Sequence, residues 1–173
     1  MIKAALSADL HELAELARHT YAQAYAADLQ TTQLEDHLAQ NLSDTRFAQM
    51  MQTDRFYLYR RADSIIAFVQ VGTVTPSYAQ FVPDFAAAGS EIRRLYVSPD
   101  AQNEGVGSQL LEHALNDELF RTTDCTYLTT WQDNFGAQRL YARHGFSKVG
   151  QIPELNTNGE VQGFEHIMVR SNI

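Results

Sequence analysis

Residues 91–131 have the pattern of a strand, a helix and a second strand, and this order most limits the folds open to the chain. The segments EIRRLYV (91–97) and CTYLTTW (125–131) are rich in branched and aromatic residues. Within residues 105–119, apolar residues recur at helical steps, namely Val106, Leu110, Leu111, Ala114 and Leu115. Strands joined through a helix form a crossover, which predicts a parallel or near-parallel pair in one sheet.

The flanking segments add helices and antiparallel strands. Asp9 with Glu12, and Thr32 with Glu35, have the spacing of capping boxes that introduce two N-terminal helices. The further predicted elements are a helix over 9–27, a helix after Thr32, a short helix at 47–51, a hairpin of strands 55–61 and 64–73, a helix over 135–144 ended by Gly145, and strands 146–152 and 162–170 joined by a turn at 156–159. This order predicts one mixed α/β (α+β) domain over residues 1–173, with a central mixed sheet flanked by helices.

Composition excludes several classes of function. The chain has 13 basic and 21 acidic residues, a net charge of -8, and no basic stripe, so we expect no nucleic-acid partner. No apolar run is long enough to span a bilayer, and we expect a cytoplasmic protein without a membrane partner. The single cysteine, Cys125, lies in an apolar segment and is expected to be buried; we expect no metal site.

A glycine-containing turn between the first strand and the helix is the main candidate ligand site. It comprises Gln102, Asn103, Glu104, Gly105, Val106 and Gly107. Glycine allows the backbone to turn tightly, and the free N–H groups at the start of a helix bind phosphate oxygens. The turn lacks the Lys-Ser or Lys-Thr of an ATP-binding P-loop and the first glycine of the dinucleotide fingerprint. By itself it predicts an anion site or an ordinary helix entry.

Two linked motifs surround this turn and the helix predicted over 135–144. The first is Arg94-Leu95-Tyr96-Val97, then Pro99 and Gln102-x-x-Gly105-x-Gly107; the second is Asn134-x-x-Ala137-x-x-x-Tyr141-x-x-x-Gly145-Phe146. Together they resemble the GNAT superfamily of N-acetyltransferases. Within that superfamily the sequence is most similar to the bacterial branch with polyamine acetyltransferases of the PaiA type. The resemblance implies a GNAT-like domain with a β-α-β core that binds acetyl-CoA as cosubstrate.

The resemblance also implies roles for particular residues. The backbone of Leu95, Tyr96 and Val97 would pair with the pantetheine arm, and the backbone from Asn103 to Ser108 would hold the pyrophosphate. Asn134, on one helical face with Ala137, would bond the pantetheine amides, cap the helix, or do both. Arg139 and Arg143 would contact the adenosine 3'-phosphate or stay solvated. Glu104 departs from the basic residue often found in this turn, and we expect it to point into solvent.

Acetyl transfer to an amine requires a neutral nucleophile, a polarised carbonyl and a proton for the thiolate. Tyr141 matches the tyrosine that serves relatives as general acid, although a core aromatic is the alternative. Glu91 is the first candidate for the base, with a solvent-facing carboxylate as its alternative; His166 and His144 are further candidates. The Val97 N–H is the expected carbonyl polariser.

Together these features predict an N-acetyltransferase that moves acetyl from acetyl-CoA to a primary amine, such as a polyamine or another small amine, in a ternary complex. Two alternatives remain: a non-catalytic acyl-CoA-binding or regulatory module, and a protein N-terminal acetyltransferase. Residues 74–89, with two prolines and several alanines, predict either a substrate-side loop or an ordinary surface loop. The expected assembly is a monomer or a homodimer.

Overall fold

The computed structural model describes residues 1–25, 31–156 and 158–172. These residues form seven strands and six α-helices. The strands are β1 (Ile2–Ala4), β2 (Arg55–Arg61), β3 (Ser64–Thr73), β4 (Ser90–Val97), β5 (Cys125–Trp131), β6 (Ser147–Leu155) and β7 (Val161–Ser171). The helices are α1 (Leu10–Tyr25), α2 (Thr31–Asn41), α3 (Asp44–Met50), α4 (Val106–Leu115), α5 (Glu118–Arg121) and α6 (Phe135–Arg143).

The seven strands form one mixed sheet in the order β1-β2-β3-β4-β5-β7-β6. β4 and β5 pair in parallel, as the crossover predicted, whereas β1 with β2, β2 with β3, β5 with β7 and β6 with β7 pair antiparallel. The predicted mixed α/β class, with a central mixed sheet flanked by helices, is therefore confirmed.

The described residues divide into two compact units. The first unit comprises Met1–Val71 and Arg94–Ala114, and the second comprises Gly72–Arg93 and Leu115–Ile173. β4 contributes residues to both. The single-domain organisation stays a prediction, and each unit is described on its own below.

The first unit has an aromatic core between its N-terminal helices and the β2–β3 hairpin. The ring of Phe47, from α3, lies 5.9 Å from the rings of both Phe56 and Phe68. All three rings are buried, together with Leu13 of α1 and Leu58 of β2. Burying such side chains contributes about 1.5–3 kcal/mol each, so these contacts fix the helices against the hairpin.

The second unit has a separate core that the 74–89 segment helps to build. This segment contains a short 3-10 helix, Pro76–Gln80, and buries Val74, Tyr78 and Val82 beside Tyr127 of β5 and Ile167 of β7. The Ala86 N–H donates to the Tyr127 hydroxyl at 3.0 Å. The segment is thus seated on the sheet face of its own unit, although it has few regular backbone hydrogen bonds.

Local side-chain chemistry moves several boundaries from their predicted places. The helix predicted over 105–119 is two helices, because Asp117 caps a new one: its carboxylate accepts from the Leu119 N–H at 2.7 Å. The predicted Asp9–Glu12 capping box is wrong, because the Asp9 N–H donates to the Leu6 carbonyl and Glu12 accepts from the Ile65 N–H.

Other differences are smaller. Thr32 does not start α2, which already includes Thr31. The short strand β1 was not predicted, whereas the hairpin of β2 and β3 lies at the predicted residues. The predicted helix residues Ala26 and Ala27, and Thr157 of the predicted turn, lie outside the described residues.

Candidate active site

The glycine-containing turn lies in the first unit, between β4 and α4. Pro99–Ala101 form a 3-10 turn, after which Asn103 and Gly105 have positive φ angles of 63° and 80°. Asparagine and glycine are the residues that adopt this conformation at least cost. The left-handed residues reverse the chain so that α4 begins directly at Val106.

The start of α4 presents backbone N–H groups towards the turn. The first hydrogen bond that joins the helix to the turn runs from the Gln109 N–H to the Gly105 carbonyl at 3.1 Å, and the N–H groups before Gln109 lie at the positive end of the helix. Val106 and Leu110 are buried and hold this end of the helix in place. Gly107 and Ser108 are half-buried. These N–H groups and the positive end of the helix dipole fit an anionic group such as a pyrophosphate.

Glu104 is directed outward, as expected from the sequence. Its side chain is 47% exposed and forms an ion pair with Arg61 at the end of β2. The neighbouring Gln102 donates to the Val97 carbonyl at 3.3 Å, which ties the turn to the end of β4. Arg61 places a positive charge beside Glu104, the one carboxylate of the turn. This positive charge reduces the repulsion between Glu104 and an anion bound at the turn.

The carboxyl end of β4 has two different faces. Tyr96 packs on Phe68, with ring centroids 5.3 Å apart, and Arg94 donates to the Gln70 side chain at 2.6 Å. Because side chains alternate along a strand, Leu95 and Val97 lie on the opposite face. All three predicted pantetheine-binding residues, Leu95, Tyr96 and Val97, are half-buried.

The second motif lies in the second unit, on α6. The Asn134 Oδ1 accepts from the Ala137 N–H at 3.1 Å, so Asn134 is the N-cap. This cap uses the side-chain oxygen and leaves the amide nitrogen out of that bond. Tyr141, two turns along the helix, is 7% exposed and makes an edge contact with Phe146, with ring centroids 6.0 Å apart.

The end of β5 anchors α6. The Trp131 carbonyl accepts from the Asn134 N–H at 3.0 Å and from the Gln138 side chain at 3.1 Å. Gln138 also donates to the Gln132 carbonyl at 2.7 Å. The first turn of α6, with the predicted coenzyme-binding residues Asn134 and Ala137, is therefore fixed to the last residue of β5.

Glu91 is buried and held by hydrogen bonds, with 4% of its surface exposed. Its Oε2 accepts from the Thr75 N–H at 2.8 Å, from the Thr75 hydroxyl at 2.7 Å and from Arg93 at 3.0 Å. Its Oε1 accepts from the Tyr78 hydroxyl at 2.6 Å. Burial and the Glu91 charge raise the pKa of Tyr78, which keeps that phenol protonated. The predicted alternative of a solvent-facing carboxylate does not apply to Glu91.

A second carboxylate, which the sequence analysis did not single out, shares the sheet face of Glu91. Glu91 registers with Tyr127 on β5, and Trp131 registers with Glu165 on β7, so alternation places Thr129, Trp131 and Glu165 on that face. Burial and the nearby Glu154 raise the pKa of the half-buried Glu165, and hydrogen bonding to Thr129 opposes this rise. The sequence signal was an acidic residue two positions before Ile167 and four before Val169 in the predicted strand 162–170, which places it on the same sheet face as these apolar residues.

The other predicted candidates lie elsewhere. His166 registers with Thr130 and Gln151, on the sheet face opposite Glu165, and burial and Lys148 lower its pKa. The ring Nδ1 of His144 lies 2.8 Å from the Leu140 carbonyl at the end of α6. Arg139 and Arg143 are exposed.

None of the helices in residues 1–25, 31–156 and 158–172 is long and apolar enough to cross a membrane. Within the same residues, no group of three His, Cys, Asp or Glu side chains is arranged to hold a metal ion.

Known proteins resemble the chain over most of its length. An uncharacterized N-acetyltransferase in the pepI 3' region of Lactobacillus delbrueckii subsp. lactis is 22% identical over 145 residues, which cover 83% of this chain and 82% of that protein. Among solved structures, the PaiA N-acetyltransferase of Thermoplasma acidophilum in complex with coenzyme A has a TM-score of 0.75 and 18% identity, covering 99% of this chain and 98% of that one.

The ribosomal-protein-S18-alanine N-acetyltransferase of Escherichia coli has a TM-score of 0.69 and 19% identity, covering 99% of this chain and 92% of that one. At these identities the structural likeness shows a shared fold. The family itself is shown by a sequence profile: the profile of the acetyltransferase (GNAT) family matches residues 10–146. The chain therefore belongs to the acetyltransferase (GNAT) family and is an acetyl-CoA-dependent acyltransferase.

Proposed function

We propose that the protein transfers the acetyl group of acetyl-CoA to the primary amine of a small acceptor, such as a polyamine, by direct attack in a ternary complex. The observation that carries this proposal is the turn before α4. Asn103 and Gly105 adopt left-handed conformations there and lead directly into the first turn of a helix, whose N–H groups and dipole favour an anion. Within a GNAT chain, that anion site is the place for the coenzyme pyrophosphate.

The coenzyme contacts are proposed residue by residue. Backbone groups of Asn103, Glu104, Gly105, Val106, Gly107 and Ser108 hold the pyrophosphate, and Gln102 fixes the turn to β4. The backbone of Leu95, Tyr96 and Val97 pairs with the pantetheine arm, and the Val97 N–H polarises the thioester carbonyl. Asn134 offers its amide nitrogen to the pantetheine amides while its oxygen caps α6. Ala137, one turn further along, leaves space on the same helical face.

Tyr141 is the proposed general acid. The amine nitrogen bonds to the acetyl carbon as the C–S bond breaks, and the sulfur takes the proton of the Tyr141 hydroxyl. The nitrogen loses one proton in exchange, which restores the Tyr141 hydroxyl. The buried position of Tyr141 excludes bulk water, which strengthens such a proton transfer.

Glu91 is proposed to assist deprotonation of the amine indirectly. A base needs a free electron pair, and the two carboxylate oxygens of Glu91 already accept four hydrogen bonds. Glu91 therefore acts as a fixed hydrogen-bond acceptor that orders Thr75, Tyr78 and Arg93.

The charge of the protein supports a cationic acceptor. The chain has a net charge of -8, and Glu154 and Glu165 lie close together on neighbouring strands of the second unit. Carboxylates attract an alkylammonium group and disfavour anionic acceptors. This supports a small amine that carries one or more positive charges.

The test is thiol release from acetyl-CoA with a panel of polyamines, monoamines, amino acids and peptide N-termini. We expect release with the small amines. Release confined to peptide N-termini would identify a protein N-terminal acetyltransferase, and coenzyme binding without release for any acceptor would identify a binding module.

The proposed acid is tested by Tyr141→Phe, with Tyr59→Phe on β2 as the matched control. Loss of the Tyr141 hydroxyl should lower turnover by about 10²-fold, within the usual contribution of general acid–base catalysis. Coenzyme affinity, measured by calorimetry, should change little. Wild-type turnover in Tyr141→Phe would reduce this residue to a packing role.

A further inference from the structure

Glu165 lies within β7, between two neighbouring strands. It registers with Trp131 on one side and with Ile152 on the other. The indole of Trp131 lies over Gly163, where a Cβ atom would be 2.1 Å from the ring. Glu165 and Trp131 are therefore cross-strand neighbours on one sheet face, and a carboxylate with an indole suits a cationic group. Glu165 is half-buried, so part of it remains accessible.

Hydroxyl groups lie between Glu165 and Glu91. Thr129 is on the same sheet face as both carboxylates, and it acts to lower the pKa of both the Glu165 carboxyl and the Tyr78 phenol. The Tyr78 hydroxyl in turn donates to the Glu91 Oε1 at 2.6 Å. In this series of polar groups, Glu91 is buried and accepts four hydrogen bonds, whereas Glu165 is partly accessible. A group that must receive a proton from a ligand belongs at the accessible end.

The charged and polar groups around Glu165 come from each neighbouring element. β6 contributes Glu154, and β5 contributes Thr129 and Trp131. The 74–89 segment contributes Tyr78, which interacts with Thr129. Glu91 and Arg93 of β4 are paired with each other. Among these, Glu154 is the like charge that opposes ionisation of Glu165. Burial acts in the same direction, so the pKa of Glu165 is raised towards the range in which a general base is effective.

We propose that Glu165, rather than Glu91, takes the proton from the acceptor ammonium, while Glu91, Tyr78 and Thr129 position it. This inference rests on the proposed amine acetylation. One N–H bond of the ammonium breaks and its proton bonds to a Glu165 oxygen, which leaves the nitrogen electron pair free to form the N–C bond as the C–S bond breaks. A second proton leaves the nitrogen and restores the Tyr141 hydroxyl, whose proton the thiolate has taken. Glu165 returns its proton to solvent.

The test is the pH dependence of kcat/KM for wild type, Glu165→Gln, Glu154→Gln and Glu91→Gln, with an amine that the wild type acetylates. In the wild type, kcat/KM should rise with pH as Glu165 ionises. Glu165→Gln should lose this acid limb and lower kcat/KM at neutral pH by about 10²-fold. Glu154→Gln should move the limb to lower pH, because it removes the like charge. Glu91→Gln should keep the limb with a reduced rate.

Retention of the acid limb in Glu165→Gln, or its loss in Glu91→Gln, would overturn the assignment. A purely structural role for Glu165 would lower activity at every pH without removing the limb, and that result also contradicts the proposal. If Glu165→Gln failed to fold, the shift in Glu154→Gln would decide, since Glu154 is exposed and its removal leaves the carboxylate of Glu165 in place. Wild-type protein that releases no thiol with any amine would instead refute the proposed function.

Discussion

Gly150→Ala should loosen the 74–89 segment from the sheet of the second unit. Gly150 lies on β6, where it registers with Ile167. A Cβ atom built at this position would lie 2.3 Å from the Phe81 carbonyl oxygen and 3.2 Å from its carbon. The obstacle is backbone, which cannot rotate away as a side chain can. The segment around Phe81 must therefore move as a body.

The structure sets the size of the effect. Restoring ordinary contact, near 3.5 Å, requires a displacement of about 1 Å. Overpacking of this kind costs about 1–3 kcal/mol, and we expect the upper end because backbone must move. Tyr78 lies three residues before Phe81, so the displacement also strains its 2.6 Å bond to Glu91. A loss of about 3 kcal/mol would lower Tm by roughly 6–12 °C in a chain of this size.

The free energy of unfolding is measured by urea denaturation, and amide hydrogen exchange around residues 78–82 reports the local loosening. Gly136→Ala is the matched control, because a Cβ atom there would meet only the Asn134 side-chain oxygen at 3.8 Å. Within α6, that substitution should stabilise by about 0.5–1 kcal/mol. If Gly150→Ala were as stable as wild type, the close approach of Phe81 to β6 would be wrong.

Two further predictions concern charge. Glu104→Gln should tighten acetyl-CoA binding by only about twofold in calorimetry, because the exposed carboxylate is already paired with Arg61; a hundredfold gain would show that it points at the coenzyme. Because the folded-state pKa of Glu165 is raised, its contribution to stability is present below the unfolded pKa and is lost as pH rises through the folded pKa. Glu165→Gln should therefore be more stable relative to wild type at pH 8 than at pH 4 by urea denaturation, and a pH-independent difference would show that the pKa is not raised.

Periodicity and turn chemistry predicted most of the fold. The hairpin of β2 and β3 and the strand β5 lie at the residues expected, because each has a continuous run of branched and aromatic residues. The predicted helix boundaries were wrong where a side chain bonds to a residue far away in the sequence. Glu12 bonds to Ile65, 53 residues away, rather than to its own helix, and no local pattern reveals such a contact.

The candidate site divides in the same way. The turn before α4 depends on Asn103 and Gly105, whose conformational preferences are local, and so the sequence reveals it. The setting of Glu91 depends on Thr75 and Tyr78 from a segment without regular spacing, and that of Glu165 depends on the register of three strands. Residues that are brought together by strand register, and not by local spacing, cannot be predicted from the sequence pattern.

The seating of the 74–89 segment decides where its sequence can be changed. Its first half is bonded to Glu91 of β4 through Thr75 and Tyr78, and its backbone at Phe81 lies close to Gly150 of β6, so substitutions of Thr75 or Tyr78 would remove bonds that hold the segment. The second half contains the exposed Pro83, Asp84, Ala87 and Ala88. Insertions and loop exchange belong there, where new side chains enter without loosening the segment from the sheet.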